Sequence, residues 1–238
     1  MTGRLYVVGV GPGDPELLTL KGARILREVG CICVPKGKQE GGSLALSIVK
    51  KAVSLEGSQI IETYFPMKRP DHASHRDEID SQWGEAAYAI VDRLKNGIDT
   101  AFITIGDPGI YSTFFYLYDR LMEELPGLHI EIVPGVSSIN ASAARAGICL
   151  ALGDDRVAIL PASRALDLKK LLKSFETVVL LKVYRVFDEV RRTLSDLGLL
   201  ERAKLVSRAG MADERVYSDL SSLEAKGLDY FSLIIVRR

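Results

Sequence analysis

Three short loops carry the residues that could bind a ligand in this chain. The first, residues 8–15, reads Val-Gly-Val-Gly-Pro-Gly-Asp-Pro and follows an apolar run. The second contains Gly106-Asp107-Pro108, and the third reads Val-Pro-Gly-Val-Ser-Ser over residues 133–138. Glycine and proline let a backbone turn sharply and approach a ligand closely. A strand, a glycine-rich loop and a helix in succession also bind phosphate groups in many proteins, so phosphate binding is the first chemistry to test.

The spacing of the first loop excludes two common phosphate-binding motifs. The pattern G-x-G-x-x-G would need glycine at position 14 or 16, where Asp14 and Glu16 stand. A Walker A loop would need Gly-Lys-Ser/Thr, whereas Lys21 lies between Leu20 and Gly22. Two carboxylates beside the expected phosphate position would also repel it. The first loop is therefore not a phosphate cradle, and a tight turn without a ligand is its simplest alternative.

The other two loops also have purely structural interpretations. The second loop would be a turn in which Asp107 caps the following helix, and Ser137 or Ser138 would cap the helix after the third loop. All three loops, however, follow strand-like runs and precede helical patterns. They are thus expected at the carboxyl edge of one sheet, where open α/β sheets bind ligands. Three such loops together favour a shared ligand.

The surrounding pattern predicts an α/β protein with two α/β domains, residues 1–150 and 151–238, joined near residues 146–155. In the first, apolar or β-branched runs alternate with helical patterns, which is typical of a mostly parallel sheet covered by helices. Its predicted strands are 4–10, 31–35, 59–63, 100–105 and 129–133, and its predicted helices are 19–28, 43–53, 78–95, 111–124 and 137–146.

The second domain is predicted to contain a mixed sheet. Its predicted strands are 156–161, 177–181, 203–206, 215–217 and 230–236, and its predicted helices are 166–175 and 187–197. Too little chain separates the last two strands for a helical crossover, which predicts antiparallel pairing between them.

Composition limits the classes of partner. Lys+Arg and Asp+Glu balance at 31 each in 238 residues, so no global charge attracts nucleic acid or a membrane surface. No apolar run approaches the ~20 residues of a membrane span, and no signal-peptide pattern is present. Cys31, Cys33 and Cys149 lie in apolar stretches, which suits reduced thiols in the cytoplasm. The one-residue gap between the first two is too short for a zinc knuckle, and we expect no metal site.

Basic residues cluster after the second and third predicted strands: Lys36, Lys38, Lys68, Arg69 and Arg76. These side chains would either be solvated or form a basic rim that binds a carboxylate-rich ligand.

The three loops, in this order and at this spacing, resemble those of the tetrapyrrole methylase family. The resemblance extends to residues 179–184 (Val-Leu-Leu-Lys-Val-Tyr), 207–210 (Ser-Arg-Ala-Gly) and 230–236, and thus covers nearly the whole chain. Within the family, residues 64–67 (Tyr-Phe-Pro-Met) and Lys182, where methionine is more usual, are similar to the branch that methylates C(20) of precorrin-2 or cobalt-factor II.

The resemblance implies two α/β domains with S-adenosylmethionine (SAM) in the cleft between them, a homodimer, and C-methylation of a small tetrapyrrole in cobalamin biosynthesis. Asp107, the nearest motif carboxylate, becomes the candidate base that removes a proton from the product. The basic rim would bind substrate carboxylates, while Tyr64 and Met67 would cover the macrocycle. The SAM contacts carried over by position are Pro12, Ile105, Gly106, Asp107, Ile110, Ser137, Ser138, Lys182 and Ala209.

Several alternatives remain open from the sequence. Methylation at C(11) or C(17) is the nearest one. The diphthine synthase and ribosomal-RNA ribose methylase branches of the family share the loops but act on a macromolecule, although neutral net charge argues against an RNA substrate. A non-catalytic regulator that binds SAM or a nucleotide would carry the same loops.

Overall fold

The computed structural model describes residues 1–37, 41–64, 76–165 and 167–238, with the backbone alone for residues 76–81. The chain divides into two compact units, Met1–Ser137 and Ser138–Arg238. Each unit is built on a sheet of its own with helices on both faces. This division lies N-terminal to the boundary near residue 150 that the sequence pattern predicted.

The first unit contains a five-stranded parallel sheet with the strand order β3-β2-β4-β1-β5. Every strand predicted here is confirmed, with bounds that differ by at most one residue at either end. The strands are β1 (Leu5–Gly9), β2 (Cys31–Lys36), β3 (Gln59–Tyr64), β4 (Thr100–Thr104) and β5 (Ile130–Val133).

Helices cover both faces of this sheet because its side chains alternate between two apolar clusters. In β1, Val8 packs in the cluster of the first two helices and Val7 in the cluster of the next two, and both side chains are fully buried. Thr19 caps the first helix, as predicted, since its hydroxyl accepts a hydrogen bond from the Gly22 N–H at 3.1 Å. The helices are α1 (Leu20–Glu28), α2 (Leu44–Ala52), α3 (Arg76–Lys95) and α4 (Phe115–Glu124).

The second unit contains the predicted mixed sheet, with the strand order β6-β7-β10-β8-β9. The central strand, β10, runs antiparallel to both of its neighbours, while β6 and β7 are parallel. The strands are β6 (Val157–Pro161), β7 (Thr177–Leu181), β8 (Ala203–Ser207), β9 (Arg215–Tyr217) and β10 (Ser232–Arg237).

One predicted pairing in this sheet is wrong. The last two strands are not neighbours, because β8 lies between β9 and β10 and pairs antiparallel with both. The connection over residues 218–231 carries the chain past β8, and its Leu220 is fully buried in the core of the unit. A crossover needs about a dozen residues and usually contains a helix, but this connection crosses β8 without one.

Helices also cover both faces of the second sheet. On one face lie α6 (Leu168–Ser174) and α7 (Phe187–Asp196). On the other lies α5 (Ser138–Ala146), whose Ile139 and Ala143 pack against apolar side chains of β7 and β10. This packing explains why α5 belongs to the second unit.

Candidate functional site

Two of the glycine-rich loops continue the first sheet beyond its strands. Strand β1 lies between β4 and β5, so the loops that follow these three strands leave neighbouring positions at one sheet edge. The Gly106 N–H donates a 2.8 Å hydrogen bond to the Gly11 carbonyl, and the Val10 N–H donates a 2.9 Å hydrogen bond to the Thr104 carbonyl. The predicted meeting of the loops at the carboxyl edge is therefore present.

Glycine is required where the backbones of the three loops touch. A Cβ atom on Gly135 would lie 2.3 Å from the Gly106 carbonyl oxygen and 2.7 Å from the Gly9 carbonyl carbon. A Cβ atom on Gly9 would lie 2.6 Å from the same Gly106 oxygen. Neither contact is sterically possible without movement of the backbone. Sequence reasoning assigned these glycines to turns and ligand approach, whereas the structure shows that they also let the loops pack together.

The carboxylate of Asp107 ties the second loop to the third. Its Oδ1 accepts a 2.7 Å hydrogen bond from the Gly109 N–H, and its Oδ2 accepts a 3.0 Å hydrogen bond from the Gly135 N–H. The first bond closes a local turn and does not cap a helix, since α4 begins only at Phe115. The second joins residues far apart in the chain, and no local pattern predicted it.

The helix predicted from residue 111 begins only at Phe115. Tyr111 has φ 55°, a left-handed conformation that a right-handed helix cannot contain. Ser112 stabilises the intervening segment, since its hydroxyl accepts a hydrogen bond from the Phe114 N–H at 3.2 Å. The whole of residues 105–114 is thus loop at the sheet edge, and it exposes the side chains of Ile110 and Tyr111.

The other predicted cofactor contacts of the first unit lie in the same three loops. Pro12 and Gly106 are buried, and Ile105 is half-buried. Ser137 is buried at the end of the third loop, and Ser138 begins α5 in the second unit. The described chain therefore places six of the nine predicted contacts, Pro12, Ile105, Gly106, Asp107, Ile110 and Ser137, within the loops of one sheet edge.

The remaining two predicted contacts share an edge of the second sheet. Strands β7 and β8 both flank β10, and Leu181 and Val206 pair with the same residue, Leu233. Lys182 directly follows β7, and Ala209 lies two residues after the end of β8. Both residues therefore lie at the same edge of the second sheet. Lys182 has φ 57° and is half-buried, while Ala209 is buried.

An ion-pair network holds the loop that contains Ala209. Arg208 donates 2.7 Å hydrogen bonds to Asp213 and to Asp229, and the bond from Arg208 lowers the pKa of Asp213. Glu214 accepts a 2.6 Å hydrogen bond from the Gly210 N–H. Sequence reasoning missed this network, because its charged residues lie in different segments and no local spacing connects them.

Only part of the predicted basic rim lies within the described residues. Lys36 and Tyr64 end β2 and β3 and are paired in register at the carboxyl edge of the first sheet. The Lys36 Nζ atom lies 3.0 Å from a carboxylate oxygen of Glu62, so this cation has an anionic neighbour. Arg76 is the first residue of α3, and its side chain lies outside the described part. Lys38, Met67, Lys68 and Arg69 lie outside the described residues altogether.

Two kinds of feature are absent from the described residues. No group of three or more His, Cys, Asp or Glu side chains among them is arranged to hold a metal ion. None of the helices seen in this part of the chain has the length and apolar character needed to cross a bilayer.

Comparison with known families identifies the chain. The model of the tetrapyrrole (corrin/porphyrin) methylases matches residues 4–224. The chain belongs to this family. The family that the three loops resemble is thus confirmed.

Three relatives within the family match almost end to end. The cobalt-precorrin-2 C(20)-methyltransferase of Salmonella typhimurium is 34% identical, and the alignment covers 100% of this chain and 98% of that protein. The probable cobalt-precorrin-2 C(20)-methyltransferase of Methanocaldococcus jannaschii is 36% identical, with coverages of 99% and 96%. A precorrin-2 C(20)-methyltransferase of Sinorhizobium sp. is 30% identical, with coverages of 98% and 95%.

Solved structures of the family confirm the fold class. A cobalt precorrin-4 methyltransferase superposes with a TM-score of 0.75 at 23% identity. The superposition covers 98% of this chain and 94% of that structure's chain. The uroporphyrin-III C-methyltransferase of Thermus thermophilus, complexed with S-adenosylhomocysteine, superposes with a TM-score of 0.67 at 23% identity, with coverages of 99% and 98%.

Proposed function

We propose that this chain is a SAM-dependent methyltransferase that methylates C(20) of precorrin-2, or of its cobalt form, in cobalamin biosynthesis. Relatives that carry this name match nearly the full length of both chains at 30–36% identity. The observation that carries the proposal is the packing of three glycine-rich loops against one another at the carboxyl edge of the first sheet, where open α/β sheets bind ligands.

The residues of these loops fit SAM better than they fit a nucleotide phosphate. SAM carries no phosphate group, so the carboxylates of Asp14 and Glu16 beside the first loop do not oppose its binding. Its sulfonium is a cation, which nearby carbonyl and carboxylate oxygens would favour. A structural relative was solved with S-adenosylhomocysteine bound, which supports the same ligand class. The proposed contacts are Pro12, Ile105, Gly106, Asp107, Ile110, Ser137, Ser138, Lys182 and Ala209.

The protein would act mainly through orientation. SAM supplies an activated methyl group, and the reduced tetrapyrrole supplies an electron-rich carbon. Holding the reacting atoms in line can lower a barrier by about 7–11 kcal/mol. Loops whose backbones are packed without intervening side chains are suited to this task, because little movement is left to them. Asp107 would hold the second loop against the third, because one of its oxygens bonds Gly109 in its own loop and the other bonds Gly135 in the third loop.

Asp107 has a second proposed role as the base that removes a proton from the methylated product. Each of its oxygens accepts one backbone hydrogen bond and keeps a further lone pair. The pH dependence of kcat separates the two roles. Loss of a base would remove the acidic limb of the pH–rate profile in Asp107→Asn, whereas loss of a loop tie would lower kcat at all pH values.

The substrate is proposed to bind against the loops after β2 and β3. A tetrapyrrole carries several carboxylates, and a chain of zero net charge needs local cations to bind them. Strand β2 neighbours β4, so Lys36 leaves the same sheet edge as the loop of Asp107. Tyr64 ends the adjacent strand and offers a ring to the macrocycle. The proposed substrate residues are Lys36, Lys38, Tyr64, Met67, Lys68, Arg69 and Arg76.

Two further properties belong to the proposal. The enzyme is a homodimer, which sedimentation equilibrium over a range of concentrations tests directly. It works in the cytoplasm, where SAM is available and where the buried thiols of Cys31 and Cys33 stay reduced.

Isothermal calorimetry tests the cofactor assignment. Saturable binding of SAM and of S-adenosylhomocysteine, with no binding of NAD or ATP, is the expected result. Binding of NAD or ATP without binding of SAM would contradict the proposal and indicate that the loops bind a nucleotide.

A further inference from the structure

A cavity of about 310 Å³ lies at one edge of the second sheet. Its walls come from the connection after α5, from the start of β8 and from the end of β10. Strands β8 and β10 are antiparallel, so the start of one lies beside the end of the other. Lys182 and Ala209 lie at the opposite edge of this sheet. The strand from Ser232 to Arg237 spans about 17 Å, which separates the cavity from those two residues.

The charged side chains that line this cavity are mostly cations. Four of them are basic and one is acidic: Arg202, Lys204, Arg237, Arg238 and Glu201. The chain as a whole carries no net charge, so the excess of cations at this place is local.

Two of the four cations already have carboxylate partners. Arg237 donates a 2.7 Å hydrogen bond to Asp155, and Arg238 lies 3.6 Å from Glu176. Within the described part of the chain, neither Arg202 nor Lys204 forms an ion pair. These two residues therefore supply the positive charge that the walls of the cavity leave uncompensated.

Lys204 is held at the cavity by the end of α5. Its Nζ atom donates a 2.8 Å hydrogen bond to the carbonyl of Ala146, the last residue of that helix. The ammonium thus offsets the negative end of the helix dipole, and two of its three donors are left for another partner. The side chain is half-buried, and a cation withdrawn from water without a carboxylate partner is costly in free energy. An anion in the cavity would reduce that cost.

We infer that this cavity binds a small multivalent anion that carries phosphate or carboxylate groups. Guanidinium and ammonium groups bind both kinds of oxygen through charge-assisted hydrogen bonds. The volume lies at the lower end of the range for ligand cavities, which suits an anion of the size of pyrophosphate or citrate. Arg237 keeps one wall in place, because it also donates a 3.1 Å hydrogen bond to the Leu150 carbonyl. The inference is independent of the proposed methyl transfer.

The thiol of Cys149 makes occupancy of the cavity measurable. It lines the cavity and is exposed, whereas Cys31 and Cys33 are buried. The rate at which neutral iodoacetamide alkylates Cys149 at about pH 8 is followed by mass spectrometry, at increasing concentrations of pyrophosphate or of citrate. Sodium chloride at equal ionic strength is the reference. An anion that fills the cavity should lower the rate saturably, by roughly threefold or more at full occupancy, and the titration gives its Kd.

Two matched variants test the role of the uncompensated charge. Arg202→Gln removes a cation from an exposed side chain and should raise the Kd roughly threefold to tenfold, with a smaller effect at high salt. Arg192→Gln is the control, because Arg192 is an exposed arginine of α7, which covers the other face of the sheet from α5. Its Kd should stay within about twofold of wild type. Lys204→Met should raise the Kd at least as much as Arg202→Gln, which remains the test if loss of the bond to Ala146 prevents folding.

The charge of the alkylating reagent gives a second readout. Iodoacetate and iodoacetamide are of nearly equal size, but only the first is an anion. The ratio of their rates at Cys149 should fall about twofold or more in Arg202→Gln and at high salt, because the cations of the cavity favour the anionic reagent. The ratio should stay unchanged in Arg192→Gln.

The two anions distinguish the chemistry of the ligand. Protection by pyrophosphate alone indicates a phosphate ligand, protection by citrate alone a polycarboxylate, and protection by both any multivalent anion of this size. The inference is overturned if neither anion slows alkylation more than sodium chloride does, or if Arg202→Gln and Arg192→Gln change the Kd equally. No methyl transfer is measured, so failure here leaves the proposed function unaffected.

Discussion

Replacement of Asp107 by asparagine tests whether one carboxylate holds the loops of the site together. The carboxylate accepts hydrogen bonds from the N–H groups of Gly109 and Gly135 at 2.7 Å and 3.0 Å. An asparagine amide has one acceptor oxygen, so its NH₂ group would face the second N–H donor. The variant therefore loses one charged hydrogen bond and brings two donors into opposition, with almost no change in side-chain volume.

The size of the effect follows from the lost bond. A hydrogen bond to a charged group stabilises a folded protein by about 1.5–3 kcal/mol, and because Asp107 is half-buried we expect a loss of about 2 kcal/mol. In a chain of this length each kcal/mol corresponds to about 2–4 °C in Tm, which predicts a decrease of about 4–8 °C. Because the loops lose their tie, the Kd of S-adenosylhomocysteine should also rise and kcat/KM should fall roughly tenfold or more.

Thermal unfolding followed by circular dichroism, with calorimetry of S-adenosylhomocysteine, measures both effects. Asp14→Asn is the matched control, because Asp14 accepts a single backbone hydrogen bond, from the Glu16 N–H at 2.9 Å, and asparagine caps equally well. Its Tm should change by less than about 1 °C. If Asp107→Asn unfolds at the same temperature as Asp14→Asn, the carboxylate does not tie the loops. If it is destabilised but keeps its kcat/KM, the tie has no part in activity.

Three further predictions concern single residues. Gly135→Ala would place a Cβ atom 2.3 Å from a backbone carbonyl oxygen of the second loop, so we expect a lower Tm and loss of S-adenosylhomocysteine binding by calorimetry; unchanged binding would contradict the packing described for the loops. Burial raises the pKa of the Cys33 thiol to about 12, so Ellman's reagent at about pH 8 should label exposed Cys149 and leave Cys33 unlabelled until the protein is unfolded. The hydrogen bond from Arg156 lowers the pKa of Glu176 from 4.5 to about 2, so the stabilisation that Glu176 contributes is present above about pH 4.5 and is lost as the pH falls towards 2. Urea unfolding across this range should show that the difference between wild type and Glu176→Gln shrinks on acidification, and a constant difference would refute the assignment.

The strands and most helices could be predicted because their patterns are local. Short apolar and β-branched runs located the ends of the first five strands to within one residue. The start of α4 was predicted too early because hydrophobic periodicity does not reveal the left-handed conformation of Tyr111. The predicted pairing of the last two strands was wrong because the connection over residues 218–231 is long enough to cross β8 without a helix.

The candidate site was predictable in its residues but only partly in its contacts. Asp107 and Gly135 both lie in loops that the sequence singled out, yet the hydrogen bond between them spans 28 positions and depends on β1 lying between β4 and β5. The contact of Lys182 with Tyr230 arises in the same way, from the register of β7 on β10. Such contacts are set by tertiary structure, so no spacing rule within the sequence predicts them.

The position of the transferred methyl group tests the account most directly. The enzyme would be incubated with SAM that carries an isotopically labelled methyl group, in parallel with precorrin-2 and with its cobalt form, and the product examined by NMR. The account predicts a single labelled methyl group at C(20), in at least one of the two substrates. A label at C(11) or C(17), or no transfer to either substrate by an enzyme that binds S-adenosylhomocysteine, would contradict it.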